Sequence, residues 1–114
     1  VSNHWYISHS REEVTLARVL PVRFDLSAEI TMPVLRKTVL AHEVRKDVWR
    51  SLQGLRGFSP VVTVREELRG LRIIAGGRIE NAKSVPPSLQ SRLEAVLNDP
   101  HRQARWRQHA RIRP

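Results

Sequence analysis

VRFDLSAEITMPVLRKTVLAHEVRKDVWRSLQ, residues 22–53, carries two hydrophobic periods in succession. In its first nine residues Val22, Phe24, Leu26, Ala28 and Ile30 alternate with Arg23, Asp25, Ser27 and Glu29. That period of two places the apolar set on one side of a half-buried strand. Pro33 then suits the first position of a helix, because a helix does not use the amide that proline lacks there. From Pro33 to about Gln53 the apolar residues recur at helical spacing. At about 100° per residue, Leu40, Ala41, Val44, Val48, Leu52 and Leu55 share one third of the wheel, with Val34 beside them. Arg36, His42, Glu43, Lys46, Asp47 and Arg50 fill the opposite face, and Trp49 lies at the border. A strand joined by so short a link to a long amphipathic helix predicts a sheet with helices packed on it.

The flanking segments extend that pattern. Gly54 and Gly57 stop the helix, and GLRGFSP leads into PVVTVREE, a β-branched apolar run that predicts a strand near 61–67. Within that loop Phe58 is expected to turn inward and close the core under the helix. LRG at 68–70 supplies a glycine turn and LRIIAGGRI alternates over 71–79, so the two runs form a hairpin. Gly76 and Gly77 predict a bulge or bend in that strand. They do not suit a phosphate loop, since no helix start follows them. Pro86-Pro87 opens a helix over 86–97 with Leu89, Leu93, Val96 and Leu97 on one face. Asn98-Asp99-Pro100 then breaks the chain, and Asp99 becomes the N-cap of a final helix over 100–112. Residues 1–21 admit two readings: a capping box, Ser10 to Glu13, starting a short helix, or WYIS and VTLARVL pairing around HSREE. The hairpin is preferred. The resulting expectation is an α+β two-layer sandwich with a small mixed or antiparallel sheet, on which the helices 33–53, 86–97 and 100–112 pack.

Composition narrows the function classes. A chain of 114 residues, 40% hydrophobic, suits a single domain over 1–114. The absence of cysteine removes disulfide scaffolds, thiolate metal sites and cysteine nucleophiles. No apolar run approaches the roughly 20 residues that cross a bilayer, and the first residues lack a basic, apolar leader. A cytoplasmic location without membrane attachment is the expectation.

No catalytic or metal constellation stands out, and no cofactor is implied. The five histidines are scattered singly. His4 and His9 are five apart, and no HExxH spacing occurs. Asp25 and Glu29 project from one strand face about 13 Å apart, too far to share a proton. Serine has no GxSxG context. An enzyme therefore ranks behind a binding protein.

Charge is the strongest functional signal. The net charge is +9 and the pI about 11.5, the electrostatic footprint of a protein that meets a polyanion. Seventeen of the twenty basic residues are arginine, a bias that base composition alone can produce. More than half of the excess falls in residues 100–114, a basic C-terminal helix or arm reading HRQARWRQHARIR before its last residue. Arg102, Arg105, Arg107, Arg111 and Arg113 point nearly all round its wheel, leaving a narrow seam of Trp106, Ala110 and Gln103. Arginine clustered on an aromatic suits phosphate contact and base stacking. RNA or DNA binding through these residues, helped by Arg45, Lys46 and Arg50, is the first expectation. An adaptor docking on an acidic protein surface through Trp106, the arginine helix or a sheet edge is the second. A merely solvated tail is the third.

Overall fold

A computed structural model describes residues 5–81 and 85–113, so His4 and Pro114 lie outside the described residues. The elements run β1 (Tyr6–His9), β2 (Glu13–Ala17), β3 (Leu26–Met32), α1 (Lys37–Leu52), β4 (Phe58–Glu67), β5 (Gly70–Ile79), α2 (Pro87–Leu97) and α3 (Pro100–His109). The five strands form one sheet in the order β1-β2-β4-β5-β3, and every neighbouring pair is antiparallel. This is the α+β two-layer arrangement, resolved in favour of an antiparallel sheet. The chain leaves β3 at one edge, passes through α1 and returns as β4 in the middle. β5 then folds back between the two, so the strand–helix–strand unit contains no parallel pair.

The N-terminal hairpin forms as preferred. Ser10 and Glu13 close it, the Ser10 amide donating to the Glu13 carbonyl at 2.9 Å, and Tyr6 stands opposite Ala17. The capping-box residues thus close a turn instead of starting a helix. β4 and β5 pair without interruption from Phe58↔Ile79 to Glu67↔Gly70, joined by Leu68 and Arg69. Both ladders of β5 are continuous, so the glycine pair makes no bulge. Its purpose is close approach: a Cβ on Gly76 would lie 1.9 Å from the Leu26 carbonyl oxygen, and one on Gly77 2.3 Å from that of Ser59. Pro60 sits within a central strand, where proline is normally excluded. Its position explains this, because β2 has already ended at Ala17↔Val61.

One face of the sheet carries the helices. Leu16, Val62, Val64, Ile73, Ala75, Leu26, Ile30 and Met32 point to it, meeting Leu40, Ala41, Val44, Val48 and Leu52 of α1 and Leu89, Leu93, Val96 and Leu97 of α2. The predicted helical stripes are buried from Leu40 to Leu52 and from Leu89 to Leu97, whereas Leu55 lies half-buried beyond α1 and Val34 is exposed; Phe58 is buried as expected. The opposite face is largely polar, with Ala17 and Val61 buried at one end of it: Thr15 and Thr63 bond at 3.0 Å, while Glu13–Arg65, Arg72–Glu29 and Arg72–Glu67 pair across the strands.

β4 begins at Phe58, three residues before its expected start at 61; three other boundaries differ through a tertiary contact. β3 begins at Leu26 instead of residue 22. Before it, Arg23 clamps Asp25 at 2.8 Å and the Asp25 carboxylate accepts the Ile79 amide at 2.8 Å, so beyond one backbone bond from the Asp25 amide to the Gly77 carbonyl the ladder gives way to side-chain bonds. α1 begins at Lys37 instead of 33, leaving Val34 exposed and Leu35 buried. Arg36 stays extended because its amide donates to the Ala110 carbonyl at 2.8 Å. For the same reason α3 ends at His109, short of 112. It packs on α1 and α2 from outside rather than on the sheet.

Candidate functional site

The basic C-terminal helix is held to α1 by its own side chains. Asp99 accepts the His101 amide at 3.3 Å as N-cap and pairs with Arg102 at 2.9 Å. Gln103 donates to the Leu97 carbonyl at 2.7 Å. Trp106 is 0% exposed, and its indole N–H donates to Asp47 Oδ2 at 2.7 Å. Arg105 reaches the same oxygen, and Arg50 stands 4.0 Å from Oδ1. One turn away along α1, Glu43 meets His109 and, at 3.1 Å, Lys46. Burial alone would raise the Glu43 pKa, but these two partners outweigh it and hold the carboxyl below its ordinary value. Glu43 opposite His109 and Asp47 opposite Arg105 form an antiparallel ladder between α1 and α3. Arg36 completes it by donating to the carbonyls of His109 at 2.6 Å and Arg111 at 3.0 Å, which would otherwise be unsatisfied at a helix end.

This geometry divides the expected site residues. Trp106 presents no surface to a base or a partner, because its whole ring lies in the core. Arg105 is drawn onto Asp47 and Arg102 onto Asp99. Asp47, expected on the solvated face of α1, is only 4% exposed, because α3 covers it. Arg107, Arg111 and Arg113 are exposed, and no ion pair or hydrogen bond engages their side chains among the described residues. Arg50 is 71% exposed at its side chain, and Lys46 is half exposed beside Glu43. The arginines that had pointed in every direction on the wheel thus sort into a holding set and an outward set.

Arg45 belongs to neither group. It faces away from α3, toward a groove of about 580 Å³ between α1 and one end of the sheet. Trp5, Arg18, Val19, Trp49, Phe58 and Pro60 contribute to its walls. The Arg45 guanidinium lies 4.5 Å from the centre of the Trp5 ring, and that of Arg18 lies 5.6 Å from the same ring. Trp49 and Phe58 stack with centroids 6.5 Å apart and planes 7° from parallel. Burial, then the neighbouring Arg18 charge, lowers the Arg45 pKa. Burial likewise lowers that of His42, whose Nδ1 lies 3.3 Å from Arg45 Nη2, and the charges of Arg45 and Lys46 add to the effect. The sequence offers Arg45 as a helper in nucleic-acid binding and Trp49 as a residue at the border of the apolar face. It gives Trp5 no role, because nothing along the chain connects residue 5 to residues 45 and 49.

Among the described residues, no group of three or more His, Asp or Glu side chains is placed to hold a metal ion, and no helix is long and apolar enough to cross a membrane. No family model, no curated protein and no solved structure matches this chain.

Proposed function

We propose that the chain binds nucleic acid through a basic surface formed by the outer side of α3, the residues that follow it and the adjoining part of α1. The observation that carries this reading is the outward set, Arg107, Arg111 and Arg113, charged groups with no acid opposite them among the described residues. They project from a segment fixed by Trp106, Asp47 and Arg36, so little ordering entropy opposes their use. Arg50 and Arg105 converge on Asp47 and extend the basic surface from one helix onto the other. Planar guanidinium forks suit phosphate oxygens, and a net charge of +9 favours approach to a polyanion.

The test is the salt dependence of affinity for a labelled RNA or DNA strand, compared with that of a variant carrying Arg107→Gln, Arg111→Gln and Arg113→Gln. Each phosphate contact contributes roughly 0.7–0.9 to the slope of log K against log salt, so the triple variant should flatten the slope by about 2–3. These side chains hold nothing else, and stability should change by no more than about 0.5 kcal/mol. An unchanged slope, or no binding to either polymer at low salt, would sink the proposal. A docking subunit is the second reading, favoured by β1, an edge strand whose four residues are all exposed. A stoichiometric protein partner without any polymer binding would select it.

A further inference from the structure

We infer that the groove between α1 and the sheet end is a stacking site for an unpaired base, with Arg18 and Arg45 meeting the adjacent phosphate, so that the nucleic acid bound is single-stranded. This inference rests on the nucleic-acid reading above and names the form of polymer it concerns. Three observations carry it. The groove, about 580 Å³, falls within the roughly 300–1,000 Å³ typical of ligand sites. Trp49 is 40% exposed although its ring is held parallel to Phe58, which makes it a fixed aromatic plane open to a second ring. Arg45 has no carboxylate partner among the described residues, and its Nε is buried without a hydrogen-bond acceptor.

Charge and shape then select the occupant. Both guanidiniums lie over the ring of Trp5, and an anion in the groove would meet the charge of Arg45 there. A carboxylate-rich peptide supplies the charge but no flat ring for Trp49. A base in a duplex has both faces covered by its neighbours, whereas an unpaired base offers a ring and a phosphate together.

The experiment uses the full chain and three probes of equal length at one low salt concentration: a single-stranded oligonucleotide, the same strand with abasic positions, and a duplex. The abasic strand and the duplex should each bind on the order of tenfold more weakly than the intact strand. Tryptophan emission should be quenched by the intact strand alone, and Trp49→Leu should remove most of that quenching. Arg45→Gln should weaken binding of the intact strand by a similar factor while leaving the affinity for duplex nearly unchanged. The abasic comparison involves no change to the protein and so stands even if a variant folds poorly. Equal affinity for all three probes without a change in emission overturns the groove assignment and leaves the α3 surface in place. An acidic peptide of matched charge that binds as tightly as the intact strand also overturns it. Failure of every polymer to bind overturns both readings together.

Discussion

Truncating Trp106 asks whether the arginine-rich helix is an appendage or part of the core. The side chain is fully buried and its N–H bonds the buried carboxylate of Asp47. Removing a buried tryptophan costs about 3–5 kcal/mol. Unfolding entropy near 2.1 cal/mol/K per residue comes to about 0.24 kcal/mol/K for this length, so Trp106→Ala should lower Tm by about 12–20 °C. Trp106→Phe separates the ring from the bond, since it keeps most of the packing but leaves Asp47 with only its arginine partners, Arg105 and Arg50. A hydrogen bond to a charged acceptor is worth about 1.5–3 kcal/mol, which predicts a fall of about 6–12 °C for that variant. Thermal unfolding followed by circular dichroism measures both, with urea titration as a check. Paired with Asp47→Asn in a double-mutant cycle, Trp106→Phe should show a coupling of about 1 kcal/mol or more. A fall of less than about 4 °C for Trp106→Ala would refute the reasoning, because α3 would then contribute little to the core.

The fold and the titrating groups make two further predictions. Gly76→Ala places a methyl group against the Leu26 carbonyl in a sheet with neighbours on both sides, and urea titration should show a loss of about 2–3 kcal/mol, whereas Gly54→Ala, with nothing within 4 Å, should stay within about 0.5 kcal/mol of the parent. His42 has its pKa lowered, chiefly by burial, so below the ordinary value of 6.5 the unfolded chain takes up its proton more readily than the folded one. Its contribution to stability is therefore complete above pH 6.5 and is lost as pH falls through the lower folded value. His42→Gln should flatten the stability profile in that window, and a profile identical to the parent's would contradict the placement of His42.

What could be read along the chain is what depends on neighbours in sequence. The apolar stripe from Leu40 to Leu52 follows from the helical period, the hairpin around residues 68–70 from its turn, and the α3 start from Asp99-Pro100, and all three stand in the structure. Asp47 could not be read this way. A wheel places it among charged residues, and only a second helix arriving 59 residues later turns that position inward. The groove failed to show for the same reason: Trp5, Arg45 and Trp49 come together because β1 and β2 pair beside β4, an arrangement that no local period encodes. Gly76-Gly77 is legible as a special position but its cause is not, since a bulge, a bend and a close approach of strands leave the same two letters.

The late arrival of α3 also orders the assembly of the protein in time. In chain order Asp47 precedes its partner Trp106 by 59 residues, whereas the β4–β5 hairpin that α1 packs on follows the helix directly. Closing so long a loop carries an entropic cost that the local hairpin does not face. While that loop is open an unpaired Asp47 is best placed in water, so α1 need not bury a lone charge to cover the sheet. The final turn of the arginine helix thus acts as a latch, closing over α1 only when the longest of these loops closes.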